Sequence, residues 1–340
     1  MPSRKPRARS RKSSARSGAL RTDLALGIDL GATKVVSALV DSRGRIVRHS
    51  GRHLHANDGP AGVIASVIRS ARACLDAGPE RPRSIGVGVA AQVDPSLGSV
   101  VHAPNLSWRN VPLGEKLAAE FGHPVLVVND ARAATFAEWK FGSGAGESDL
   151  FCLILGTGVG GSAVLGGRLL EGGTHATGEV GHITVVSGGR PCHCPNSGCF
   201  EAYVGGWAIG ERAREAVHDD ERAGAAMVAR AGSLDAITAR TVFLADRSGD
   251  PLAARIVRET ERYLADGAVG VVNSFNPSTL VMAGGLVAGR PEWVSIVEAA
   301  VRSRCQPPAA GARVVAATLG ENAGVVGAAA LARETGRTSR

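Results

Sequence analysis

The sequence predicts a two-lobed α/β protein in which one sheet-forming unit occurs twice. Three observations carry this. A strand, a turn bearing glycine and threonine, and a returning strand occur at 24–49 and again at 150–172, the mark of an internal duplication. Strand patterns then alternate with helical ones through much of the chain. The 340 residues are 44% hydrophobic and 21% charged, a globular composition long enough for two domains.

Folded sequence begins near Leu24. Residues 24–30 read as a strand, Gly31, Ala32 and Thr33 as a turn, and 34–41 as the returning strand; a further turn at 42–45 leads into a third strand at 46–49. That succession is a β-meander. Residues 61–77 repeat apolar side chains at helical spacing (Val63, Ile64, Val67, Ile68, Ala71, Leu75) and stop before Gly78 and Pro79. A strand is predicted at 84–89, a helix at 112–121 and a buried strand at 125–128; Asn129 and Asp130 end that strand, and a helix follows at 131–141. The second unit opens with a strand at 150–155, a glycine turn at 156–161 and a strand at 162–165, and then turns at Gly166 and Gly167 into Leu169 and Leu170. Helices are expected at 207–217, 220–231, 238–245, 251–273 and 291–305, a strand at 280–282, and an alanine-rich helix at 323–333.

The formal net charge of +8 is unevenly placed. Residues 1–22 hold eight basic side chains and no acidic one; without them 31 Lys and Arg face 31 Asp and Glu. The body is therefore neutral, which argues against nucleic acid as a partner of the folded part. The tail is expected to be a disordered basic extension, able at most to touch anionic surfaces weakly. No run of about 18 apolar residues occurs, so no membrane span is predicted. No secretory signal is evident either, which points to the cytoplasm.

Each glycine turn offers a hydroxyl and unobstructed backbone N–H groups. Such turns can cradle phosphate, although a lone Gly-rich hairpin is more often only a hairpin. Two of them, at the heads of duplicated units, point to two lobes holding one polyphosphate. A returning strand follows each turn where the common mononucleotide motifs require a helix. Asp29, at the end of the first strand, could hold Mg²⁺ through water or simply cap the turn. Asp130 lies where α/β sheets place ligands, and is a candidate general base or an N-cap residue. Gly284 and Gly285 follow a strand and could admit a flat ring close to the backbone.

The sharpest local signal is His182 with Cys192, Cys194 and Cys199. Three thiolates and an imidazole suit a tetrahedral structural zinc site. Cys74, Cys152 and Cys305 stand apart in apolar surroundings, as buried free thiols do. Glu179 and Glu201 flank the zinc motif. With Asn105 and Asn129 they make a set of carboxylates and amides suited to sugar hydroxyls, unless Glu179 is only a surface residue.

The segments GIDLGATK (27–34), HAPNLSW (102–108), VVNDARAA (127–134), LGTGVGGS (155–162), GEVGHI (178–183), CHCPNSGCFE (192–201) and VMAGGL (281–286) occur in this order. Together they resemble the ROK family of bacterial sugar kinases within the actin-like ATPase superfamily, from about Leu24 to Arg333. The resemblance implies a duplicated RNase H-like fold with an interlobe cleft: a tail at 1–22, a small lobe of 23–128 plus a C-terminal helix at 321–335, and a large lobe of 129–320 with the zinc motif. It implies ATP and Mg²⁺ at Asp29, Gly31, Ala32, Thr33, Lys34, Gly156, Thr157, Gly158, Gly160 and Gly161, with the adenosine near Gly284 and Gly285.

By the same resemblance Asp130 is the catalytic base, and Asn105, Asn129, Asp130, Glu179, His182 and Glu201 hold the sugar. His182 also joins the three cysteines on zinc. The implied activity is that of a glucokinase, an ATP:hexose phosphotransferase. N-acetylmannosamine and N-acetylglucosamine kinases share these residues, and a non-catalytic sugar-responsive regulator of the same family is the alternative of another class. Inorganic polyphosphate is an alternative donor, and a homodimer is the expected assembly. Two departures from the family pattern stand out. Ala32 replaces a usual glycine, and Pro195 a frequent one.

Overall fold

The computed structural model describes residues 23–54 and 59–338. The basic tail expected at 1–22 lies outside the described residues. By internal contacts the chain falls into two units: one through Asp130 together with Ala328 onward, the other Ala131–Gly327.

The first unit opens with β1 (Ala25–Leu30), β2 (Lys34–Val40) and β3 (Ile46–His53) as an antiparallel meander. Helix α1 (Gly59–Asp76) leads to β4 (Ser84–Val89), which pairs parallel with β1. Next come β5 (Gln92–Asp94), β6 (Ser99–Ala103) and β7 (Trp108–Val111), a separate antiparallel sheet. Helix α2 (Leu113–Phe121) then feeds β8 (Val125–Asn129), parallel to β4. Helix α3 (Asp130–Phe141) begins on the last residue of this unit and continues into the second.

The second unit repeats the scheme. β9 (Leu150–Leu155), β10 (Val159–Leu165) and the short β11 (Arg168–Leu169) form its meander. A long excursion follows through α4 (Glu201–Val204), α5 (Gly206–Asp219), α6 (Glu221–Ala231), α7 (Ala239–Arg247) and α8 (Pro251–Phe275). The chain re-enters the sheet at β12 (Thr279–Ala283), then passes α9 (Gly285–Gly289) and α10 (Glu292–Arg304) to β13 (Arg313–Ala316). Helix α11 (Ala323–Thr338) ends the described chain.

The two five-stranded sheets have orders β3-β2-β1-β4-β8 and β11-β10-β9-β12-β13. Strand for strand these are the same topology: an antiparallel triple extended by two parallel strands. The expected duplication is therefore present in the backbone. The strands predicted at 84–89 and 150–155 match their bounds, because continuous apolar runs between turn residues leave little choice.

The structure departs from the sequence reading in one expected element and in several unexpected ones. The second glycine turn spans only 156–158, since Val159 already pairs with Leu155 across the hairpin. The β5-β6-β7 sheet was not expected; its strands are short, and its buried residues Val93, Val100, Ala103, Trp108 and Val111 repeat over too few positions to show a period. The signal was there in the Asp-Pro-Ser-Leu-Gly turn at 94–98, with Val93 before it and Val100 and Val101 after it. β13 and the short helix α9 were also missed.

Each unit has its own core. In the first, Leu26, Ile28, Leu30, Ile85, Val87, Val89 and Val127 from the sheet pack with Val63, Val67 and Ala71 of α1. In the second, Leu153, Leu155, Leu280 and Met282 pack with Leu264, Ala268 and Val272 of α8. Apolar burial of this kind is the main stabilising term. One contact in the first unit is unusually close. A Cβ on Gly86 of β4 would fall on the Ala328 carbonyl of α11. The Arg333 guanidinium holds the same helix by donating to the Asp41 carbonyl at 2.9 Å. Gly86→Ala is expected to cost about 1–3 kcal/mol by overpacking, seen as a lower melting temperature; an unchanged melt would show that α11 can move away freely.

Candidate functional site

Three candidate site residues of the first unit, Asp29, Asn129 and Asp130, lie where β1 and β8 end. Asp29, on β1, is half-buried. Burial, and next the charge of Asp130, raise its carboxyl from 3.8 to about 7, against a smaller lowering by Lys34. Asp130 thus lies within electrostatic reach of Asp29, in the first turn of α3. Its carboxylate gains from the positive end of that helix. Asn129 ends β8 and donates from Nδ2 to the Ala91 carbonyl at 3.2 Å, which fixes the strand-to-helix turn. Asn105 is exposed on a short 3₁₀ turn, Pro104–Leu106, closed by Ser107 in the left-handed region.

The β1–β2 turn is closed by the Gly31 N–H donating to the Lys34 carbonyl at 3.0 Å. Thr33 and Lys34 are exposed. Ala32 adopts no positive φ, so its Cβ leaves the turn unstrained. Two carboxylates together with exposed hydroxyl and ammonium groups suit a cation-bound polyphosphate.

The raised Asp29 pKa has a consequence for stability. Between about pH 4 and 7 the folded state keeps a proton that the unfolded chain has released. The group therefore costs stability progressively as pH rises through that window, with the full cost above it and none below. Asp29→Asn removes the cost. The variant should melt above wild type at pH 8, with the gap closing by pH 4; equal gaps at both pH values would contradict the argument.

In the second unit the glycine hairpin joins β9 to β10. Here the structure separates glycines that sequence could not. A Cβ on Gly156 meets open space, whereas one on Gly158 would fall on Glu201 Oε2 and one on Gly161 would lie 2.6 Å from the Phe151 ring. A Cβ on Gly160 would lie 3.4 Å from the Ala131 Cβ. Gly158 and Gly161 are thus needed for packing, and Gly156 is the residue whose bareness faces outward. The same distinction holds further on. Gly284, at φ 98°, spends its freedom on the Leu155 carbonyl, while Gly285 is open and starts α9. The close approach expected at Gly284 is made by the neighbouring strand's backbone.

Glu179 is exposed and precedes the 3₁₀ turn Val180–His182. His182 Nε2 lies 4.0 Å from Glu179 Oε2, and His182 Nδ1 lies 3.7 Å from Cys192 Sγ. Cys194 and Cys199 sulfurs are 3.5 Å apart. The four ligand atoms of His182, Cys192, Cys194 and Cys199 all lie within 4.8 Å of one another. Three sulfurs and one nitrogen at such spacing suit a tetrahedral cation, with one imidazole nitrogen turned inward and the other toward Glu179. Burial and the two neighbouring thiols push the Cys199 thiol up to about 12, a cost that a bound cation reverses. Pro195 fits the loop, which closes through the Cys192 N–H to the Asn196 carbonyl at 3.1 Å.

Glu201 is turned inward. Its Oε2 accepts from the Val159 N–H at 2.7 Å and its Oε1 from Trp207 Nε1 at 3.1 Å. A carboxylate has about four lone-pair positions, so acceptor capacity remains. Glu138, fully buried on α3, was not found from sequence. It accepts the backbone N–H groups of Ser143, Thr318 and Leu319 at 2.9, 3.2 and 2.7 Å, tying the end of α3 to the turn after β13. No described helix is long and apolar enough to cross a membrane.

A duplicated five-stranded sheet, hairpins suited to phosphate, neighbouring carboxylates at Asp29 and Asp130 and a Cys/His cluster able to hold a metal ion define the class as an α/β protein suited to a polyphosphate. The chain belongs to the ROK family, whose model matches residues 25–335. It is 36% identical over 318 residues to a glucokinase of Streptomyces coelicolor, covering 92% of this chain and 98% of that one. Its fold matches a ROK family glucokinase from Streptomyces griseus, solved with glucose and AMPPNP, at TM-score 0.80 and 33% identity over 92% of this chain and 99% of that one. A ROK hexokinase from Thermus thermophilus matches at TM-score 0.77 and 30% identity, over 93% and 99%.

Proposed function

We infer that this chain is an ATP-dependent glucose kinase. The similarity to glucokinases along nearly the whole of both chains carries the reading. The phosphate-suited hairpins and the Asp130 position support it.

Asp130 is proposed as the general base. Its carboxylate takes the proton of the glucose 6-hydroxyl as that oxygen attacks the γ-phosphorus and ADP leaves. Asn105, Asn129, Glu179, His182 and Glu201 are assigned to the sugar hydroxyls. Asp29 is assigned to Mg²⁺ through water, and the turns at Gly31, Ala32, Thr33 and Lys34 and at Gly156, Thr157 and Gly158, with Gly160 and Gly161 at the start of β10, to the phosphates. Gly285, with Gly284 behind it, is assigned to the adenosine side. The protein's main contribution is positioning and charge neutralisation, as phosphoryl transfer demands.

Zinc is the cation assigned to His182, Cys192, Cys194 and Cys199. Four protein ligands leave no open position, so its role is to fix the loops that carry Glu179 and Glu201. A cytoplasmic homodimer is the expected form.

The test is a coupled ADP-release assay with Mg·ATP across glucose, mannose, fructose, allose, N-acetylglucosamine and N-acetylmannosamine. Glucose should give the highest kcat/KM. Preference for an N-acetylated sugar would move the substrate assignment. Silence on all six from metal-loaded protein would overturn the kinase reading with this donor.

A further inference from the structure

The loop carrying the metal ligands and the β9–β10 turn are joined by side chains that neither role requires. His193, between Cys192 and Cys194, stacks on the Trp207 indole with ring centroids 3.9 Å apart and planes at 21°. Trp207 Nε1 donates to Glu201 Oε1, and Glu201 Oε2 accepts from the Val159 N–H next to Gly158. The backbone reinforces the join, with the Gly206 N–H donating to the Gly156 carbonyl at 3.0 Å and the Trp207 N–H to the Thr157 carbonyl at 3.1 Å. All these residues lie in the second unit.

We propose that His193, Trp207 and Glu201 form a positioning relay through which the metal-bound loop holds the turn at Gly156, Thr157 and Gly158 in its phosphate-receiving shape. The proposal rests on the reading of that turn as a phosphate cradle. A turn with two glycines has many conformations to lose, and backbone N–H groups bind an oxyanion well only when aimed together beforehand. Glu201 supplies the aim, because a carboxylate held at both oxygens makes a strong, directional acceptor for the Val159 N–H. Trp207 fixes Glu201, and His193 fixes Trp207. His193 is exposed. It can act as a stop only if its own backbone is rigid, and the metal ligands on either side provide that.

The experiment is calorimetric titration of Mg·ADP, and separately of glucose, into the full chain: wild type, His193→Ala, Trp207→Phe and the double variant. Metal content is read by plasma emission. Trp207→Phe keeps a ring for the stack and loses the N–H, so Mg·ADP should bind roughly three- to ten-fold more weakly. His193→Ala should keep its metal and weaken Mg·ADP by a few-fold. The double variant should lose less than the product of the two, and glucose affinity should fall with it, because Glu201 is also assigned to the sugar. KM for ATP should rise more than kcat falls.

Unchanged Mg·ADP affinity in metal-loaded His193→Ala would overturn the relay. His193 is exposed, so that variant keeps the test open even if Trp207→Phe folds poorly. A wild type that binds no Mg·ADP would instead sink the phosphate reading of the turn, which is a distinct outcome.

Discussion

Replacing Asp130 with asparagine should lower turnover by roughly two to four orders of magnitude while glucose affinity changes little. The amide keeps the size and much of the hydrogen-bonding capacity of the carboxylate, but it cannot take a proton at neutral pH. Loss confined to kcat is what an interaction made only in the transition state produces. The same change removes the negative charge that helps raise Asp29. Asp29 should therefore titrate lower in Asp130→Asn, which NMR of the carboxyl carbon can follow. Turnover like that of wild type would end the assignment of Asp130 as base.

Cys194→Ser should lose the bound metal and melt well below wild type, by more than about 5 °C. The three cysteine sulfurs and one imidazole nitrogen converge within 4.8 Å across a loop with little regular structure of its own. Removing one thiolate leaves two sulfurs and a nitrogen, a weaker site for a thiol-loving cation. The freed loop would no longer fix His182 beside Glu179, nor Cys199, whose backbone pairs with Thr184. Plasma emission should find about one equivalent of zinc in wild type and little in the variant. Undiminished zinc in Cys194→Ser would remove Cys194 from the site.

The parts of the fold legible in the sequence were those where local and tertiary demands agree. β4 and β9 are apolar runs bounded by turn residues, and burial on both faces asks for nothing else. Helix α8 shows a long apolar stripe with Asp250 capping its start, its side chain accepting from the Ala253 N–H. The metal cluster was legible because thiol and imidazole spacing survives whatever the loop between them does. Illegible were the β5-β6-β7 sheet, too short to show a period, and Glu138, whose partners at Thr318 and Leu319 come from far along the chain.

The sequence by itself determined the duplicated strand-and-turn units, the grouping of His182, Cys192, Cys194 and Cys199 as candidate metal ligands, the placing of Asp130 where a strand gives way to a helix and the neutrality of the body. These depend on residue type and near neighbours, which a linear string records. Only the tertiary structure decided which glycines are open to a ligand and which are filled by a neighbour, because a missing Cβ means something only against the atom that would meet it. It alone set the proton affinity of Asp29, through burial and the nearness of Asp130. It alone turned Glu201 toward Val159 and Trp207, since a carboxylate's role is fixed by the donors that folding brings to it.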